Sequence, residues 1–192
     1  MSSWLTVENL VTPKVQGMLA GLSPERRAML MSRLGKQLET DLKAHFVARD
    51  AEGNKRGWPS THFWSREVRA KTALQSYDSS QATVGVSSPA FAHRVRGGVI
   101  RPGPGKKLLA IPTRGEVYGR MPSANPIPGI FFVRTGKGTF LAAREGKALR
   151  IYWKLVPSVN QAPDARALPP TAELQASLEA RAEQELGRIL QQ

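Results

Sequence analysis

The chain has 192 residues, 41% of them hydrophobic and 22% charged, an ordinary globular balance for one domain with appended material. It contains no cysteine, which excludes disulfides, thiolate metal sites and cysteine nucleophiles and fits a reducing compartment. Its net charge of +13 points to polyanionic partners: nucleic acid, acidic protein faces or anionic membrane.

The N-terminal "MSSWLTVENLV" has neither a basic start nor a long apolar run, and no apolar run approaches bilayer-spanning length. The expectation is a soluble protein made in a cytoplasm, with no membrane partner. Residues 1–22 place Leu5, Val7, Leu10, Val11, Val15, Met18, Leu19 and Leu22 at loose helical spacing, broken by Pro13. They read as short helical turns or an arm.

Ser23 then offers a helix cap, Pro24 suits the first helical position and Glu25 favours the positive helix end. Leu30, Leu34, Leu38, Leu42 and Phe46 recur every fourth residue as one apolar stripe. The pattern predicts a helix from 24 to about 48, roughly 37 Å long. Gly35 inside it suggests a close backbone approach. "DAEGNKRGWPSTHFWSREV" follows as a loop broken at Gly53-Asn54 and Gly57, with Trp58, Phe63 and Trp64 as anchors pinning it to the core.

Beyond residue 67 the pattern turns toward β. "ATVGVSS" reads as a strand with Val84 and Val86 on one face. "FAHRVRGGVIRPGPGKKLLAIP" holds a strand at each end of an extended glycine- and proline-rich loop, and "TRGEVYGRMPSANPIPG" is a long excursion. "IFFVRTGKGTFLAARE" reads as a hairpin around Thr135 to Gly138, with Phe131, Val133, Phe140 and Ala142 alternating. In "KALRIYWKLVPSV", Leu149, Ile151, Trp153 and Leu155 alternate with Arg150, Tyr152 and Lys154. After the linker "NQAPDARALPP", Thr171 caps a terminal helix with Glu173 in its first turn and a stripe of Leu174, Leu178, Leu186, Ile189 and Leu190. The fold class expected is α+β: an antiparallel β-sheet packed against a long N-terminal-half helix and a C-terminal helix, with long extended loops. The expected organisation is an arm over 1–22, a core domain over 23–160, and a linker with the C-terminal helix over 161–192.

Local support for catalysis is thin. His45, His62 and His93 lie far apart and fit no metal-binding pattern. No G-x-S-x-G elbow occurs. "GPGKK" and "TGKGT" lack the spacing with which a phosphate loop wraps its ligand, and read as turns. No carboxylate falls between Ala82 and Gly115, whereas Arg94, Arg96, Arg101, Lys106, Lys107 and Arg114 all do. Acid–base work needs a paired acid and base, so neither an enzyme nor a cofactor is expected, and a hydrolase built around His93 is disfavoured. The same basic run suits a polyanion-facing surface, with 94–120 as the contact loop, although Phe91 is the one aromatic between Ala82 and Gly115 and single-strand binders usually carry several. The bland alternative is a solvated loop.

The order of elements, with "GNKRGWP" after the first long helix and "FAHRVRGG" later, resembles the phage virion-morphogenesis family: tail-completion and head–tail joining proteins of tailed bacteriophages. The resemblance covers most of residues 24–190; the insert from Gly103 to Gly129 and the N-terminal twenty or so residues depart from it. It implies an α+β fold and a non-enzymatic role in the virion neck or tail, assembled in the bacterial host cytoplasm. The implied partners are copies of itself in a ring, often hexameric, connector or adaptor proteins, and the tail tube or sheath, with non-specific DNA contact open. Phe91, His93, Arg94, Arg96, Arg101, Lys106, Lys107 and Arg114 would then form the loop that meets neighbours. His93 would orient backbone and loop, and Gly97-Gly98 would permit positive backbone angles at a strand–loop junction.

Overall fold

A computed structural model describes residues 17, 19–53, 56–124 and 127–190. The arm residues Leu5, Val7, Leu10, Val11, Val15 and Met18, the Asn54 half of the predicted turn, and the Leu190 side chain lie outside the described residues. The fold is α+β, with a long helix in the N-terminal half, a C-terminal helix and antiparallel sheets. It divides into two compact units. One, the helical unit, takes Met1–Ala51, His62–Arg96 and Asp164–Gln192; the other, the sheet unit, takes Glu52–Thr61 and Gly97–Pro163. Residues 23–160, expected as one core, thus fall in both, and the C-terminal helix belongs to the first.

In the helical unit, α1 spans Pro24–Ala51, with the Arg26 N–H reaching Ser23 Oγ at 3.4 Å as the cap predicts. Its stripe from Leu30 to Phe46 is buried throughout. β1 (Thr72–Tyr77) and β2 (Ala82–Val86) form an antiparallel pair that packs on α1 at Gly35. A Cβ on Gly35 would lie 2.5 Å from Leu74 Cδ1, so the close approach expected there is real. Glu39 fastens the same contact: its carboxylate accepts the Leu74 N–H at 3.1 Å and is held by Lys36 and Lys43 at 2.8 and 2.6 Å.

Two expectations fail in this unit. The second half of the predicted loop, Phe63–Val68, is a π-helical turn, because Asp50 takes the N–H groups of Trp64 (3.4 Å) and Ser65 (2.7 Å) at its start. The strand expected from Phe91 at the start of "FAHRVRGG" is instead a helix, α2 (Pro89–Arg96). Ser88 Oγ accepts the Phe91 N–H at 3.3 Å, and Asp164 donates its N–H to Arg94 O at 2.7 Å near the helix end. The Ser88-Pro89 pair repeats the Ser23-Pro24 signature that opens α1, and is the signal that identifies this helix in sequence. Phe46, Trp64 and Phe91 make one aromatic cluster, with ring centroids 5.5–6.2 Å apart. The C-terminal helix, α3 (Thr171–Leu190), lays Leu174, Leu178, Ala182, Leu186 and Ile189 on this core.

In the sheet unit, β3 (Gly98–Ile100) pairs with β8 (Val159–Gln161), and a four-stranded antiparallel sheet runs β4 (Leu109–Pro112), β7 (Ala148–Val156), β6 (Gly138–Glu145), β5 (Phe131–Thr135). The β5–β6 hairpin turns between Thr135 and Gly138 as expected. The expected alternation in β7 holds only partly: Tyr152 is buried, and Leu149 is 48% exposed. Leu141 faces Trp153 while Ala142 faces Ile151, so Tyr152 is an inserted bulge residue that shifts the phase. Leu141, Ala143, Tyr152, Trp153 and Leu155 form the small core with Val117, and Ile127 and Ile130 of the excursion pack against it. Trp58 anchors this unit, its ring 5.3 Å from that of Tyr118 and 3.0 Å from where a Gly115 Cβ would lie.

Candidate interaction surface

The expected contact residues separate. Phe91 is 1% exposed in the helical core and is no surface contact, because α2 turns its ring onto Phe46 and Trp64. His93, Arg94 and Arg96 are exposed on α2, with the Arg94 guanidinium over the Phe63 ring at 5.6 Å. The His93 side chain makes no hydrogen bond among the described residues, so nothing carries the orienting role expected of it. Arg101, Lys106, Lys107 and Arg114 are exposed in the sheet unit. Arg114 is tied down, its Nε donating to Ile151 O at 3.0 Å. Gly97 and Gly98 take the expected positive φ, 69° and 126°, as α2 gives way to β3. Phe63 and Trp64 pack against the helical core, as anchors should.

Charge is divided unevenly. The sheet unit holds thirteen Lys and Arg against three Asp and Glu, a net +10; the helical unit holds fifteen against twelve, a net +3. In the helical unit the buried charges are paired. Glu185, fully buried, meets Arg33 as well as Arg181 (2.7 Å) and Arg188 (3.2 Å), and Arg49 meets Asp164 at 2.9 Å. Burial works to raise the Glu39 carboxyl, but hydrogen bonds from Lys36, Lys43 and the Leu74 N–H prevail and bring it down to about 2.

In the sheet unit one residue, Arg150, engages two of the three carboxylates. It bonds Glu145 at 2.5 Å and lies 3.6 Å from Glu116. Its hydrogen bond, joined by one from the Tyr152 hydroxyl at 3.0 Å, lowers the Glu145 carboxyl. Arg134, Lys137, Arg144, Lys147 and Lys154 have no carboxylate partner among the described residues.

The four-stranded sheet is apolar on both faces. Cross-strand partners share a face, so Phe132, Leu141 and Trp153 line the face over the small core. The opposite face carries Phe131, Ala142 and Ile151 in one row and Val133, Phe140, Lys154 and Ile111 in the next. On this face Ala142 is fully buried and Val133, Phe140 and Ile151 are half-buried, while Phe131 and Ile111 are exposed. Antiparallel sheets with one wet face alternate apolar and polar; this one does not. The sheet exposes Phe132 at 73% on the core-side face and Leu149 at 48%, Phe131 at 38% and Ile111 at 37% on the other.

Among the described residues no cluster of three metal-ligating side chains occurs, and no helix is long and apolar enough to cross a membrane. Comparison with protein-family models, curated proteins and solved structures finds no match to this chain. Sequence reasoning saw Phe131, Val133, Phe140 and Ala142 as one alternating set, and they do share one face. It missed Phe132, whose adjacency to Phe131 at an outer strand is the signal that both faces are apolar.

Proposed function

We propose that this protein is a non-enzymatic structural subunit of a phage virion, completing the tail or joining it to the head as part of a ring. The partly exposed apolar face of the four-stranded sheet, with Phe131, Leu149 and Ile111 open to water, carries this reading. A chain that worked alone would leave that face polar, whereas an assembly subunit buries it against a neighbour. The resemblance at "GNKRGWP" and "FAHRVRGG" supplies the virion context. Sedimentation and negative-stain imaging of the purified chain test it: a ring of defined size is expected. A strictly monomeric chain that never co-sediments with tail or connector proteins overturns it.

The net +10 of the sheet unit favours a second reading, contact with nucleic acid through the basic loop. Each phosphate neutralised would release counterion, so log affinity would fall steeply with log salt. Arg101→Ala with Lys106→Ala should lower that slope; an unchanged slope removes this reading.

A further inference from the structure

We propose that the outer edge of β5 takes an additional β-strand from a partner protein, an extended segment carrying apolar and acidic side chains. The proposal deepens the assembly reading and rests on it for the identification of a partner protein.

The two edges of the sheet differ. At β4 the Thr113 N–H donates to Tyr152 O at 2.9 Å, so strand alternation turns the Pro112 position outward. Proline has no N–H, and that edge is blunted. Among the described residues β5 pairs with a strand on one side only, and it contains no proline. Phe131 and Phe132 flank it on opposite faces, 38% and 73% exposed. A strand added there would cover both rings and satisfy the outward backbone groups of β5.

Charge selects the strand's chemistry. Arg134 lies on the Phe132 face, and Lys154 and Arg144 lie on the Phe131 face. None of them has a carboxylate partner among the described residues. A second copy of β5 would bring Arg134, with Lys137 in the adjoining turn, toward its own kind across a unit of net +10. A segment with an apolar residue beside Phe132 and an acid beside Arg134 meets both requirements.

The test uses the full chain and a synthetic peptide alternating valine and glutamate, read by fluorescence anisotropy. Binding should weaken about tenfold or more when lysine replaces glutamate, when alternate peptide amides are N-methylated, or in Phe132→Ser, with thermal melts confirming that this variant folds. Arg134→Glu should reverse the preference between the acidic and basic peptides. Equal binding of the two peptides, indifference to N-methylation, or no peptide binding overturns the proposal. So does loss of self-association in Phe132→Ser, which makes a second copy the occupant, or displacement of the peptide by single-stranded DNA without effect of N-methylation. Sedimentation of the unmodified chain separates the two readings: a ring without peptide binding removes the edge proposal alone, and peptide binding by a monomer removes the ring alone.

Discussion

The helical unit and the sheet unit use the same kinds of residue to opposite ends. In the helical unit apolar stripes close on one another, and buried charge meets opposite charge: Glu185 with three arginines, Glu39 with two lysines, Arg49 with Asp164. In the sheet unit a small core lies under one face, the other face leaves Phe131, Leu149 and Ile111 exposed, and five cations have no carboxylate partner among the described residues. The first unit meets its buried charge with opposite charge, and the second leaves apolar side chains exposed beside cations that have no carboxylate partner among the described residues. The lesson is that net charge and apolar content are uninformative until one knows whether they are spent inside a unit or left outside it.

That contrast can be broken by substitution. Phe46→Ala removes a fully buried ring at the centre of the aromatic cluster and should cost about 3–5 kcal/mol in denaturant unfolding. Glu185→Ala strands three arginines around a buried site and should cost about 2–3 kcal/mol by the same measurement; a neutral result would mean the helical unit's charges are not paired to hold it together. Gly97→Ala sharpens the sheet unit: φ is 69° and a Cβ would lie 2.7 Å from Gln161 O, so a loss of about 2 kcal/mol in melting analysis is expected.

The Glu39 effect depends on pH. Its folded value of about 2 lies below the ordinary 4.5, so the fold favours the carboxylate. The stabilisation is therefore full above the ordinary value and lost as pH falls from there toward 2. Glu39→Gln should cost about 1–2 kcal/mol near neutral pH and less at about pH 3, so unfolding curves of the two chains should converge on acidification. The smallest effect on stability belongs to Phe132→Ser, within about 0.5 kcal/mol, because that ring is already in water. If it instead destabilised as Phe46→Ala does, the contrast between the units would collapse.

Local signals carried much of the fold. Ser23-Pro24 with the four-residue stripe of leucines gave α1, Thr171 with its leucines gave α3, and the turn between Thr135 and Gly138 gave the β5–β6 hairpin. Each depends on neighbours in sequence: a cap within one turn, a stripe within one helix, a turn within four residues. The failures came where a distant group decides. Asp50 starts the π-helical turn at Phe63, Asp164 closes α2, and a bulge against β6 moves Tyr152 into the core. The surface was less legible still, because Phe91 and Phe132 are the same residue type in similarly basic company. By itself the sequence determined the α+β class, the two long helices, the hairpin and the excess of positive charge, all of which follow from local pattern and composition. Only the tertiary structure decided that most of this charge sits in one unit and that Phe91 is buried while Phe132 meets water. Burial depends on what packs from elsewhere in the chain, and periodicity cannot report which apolar face finds a cover.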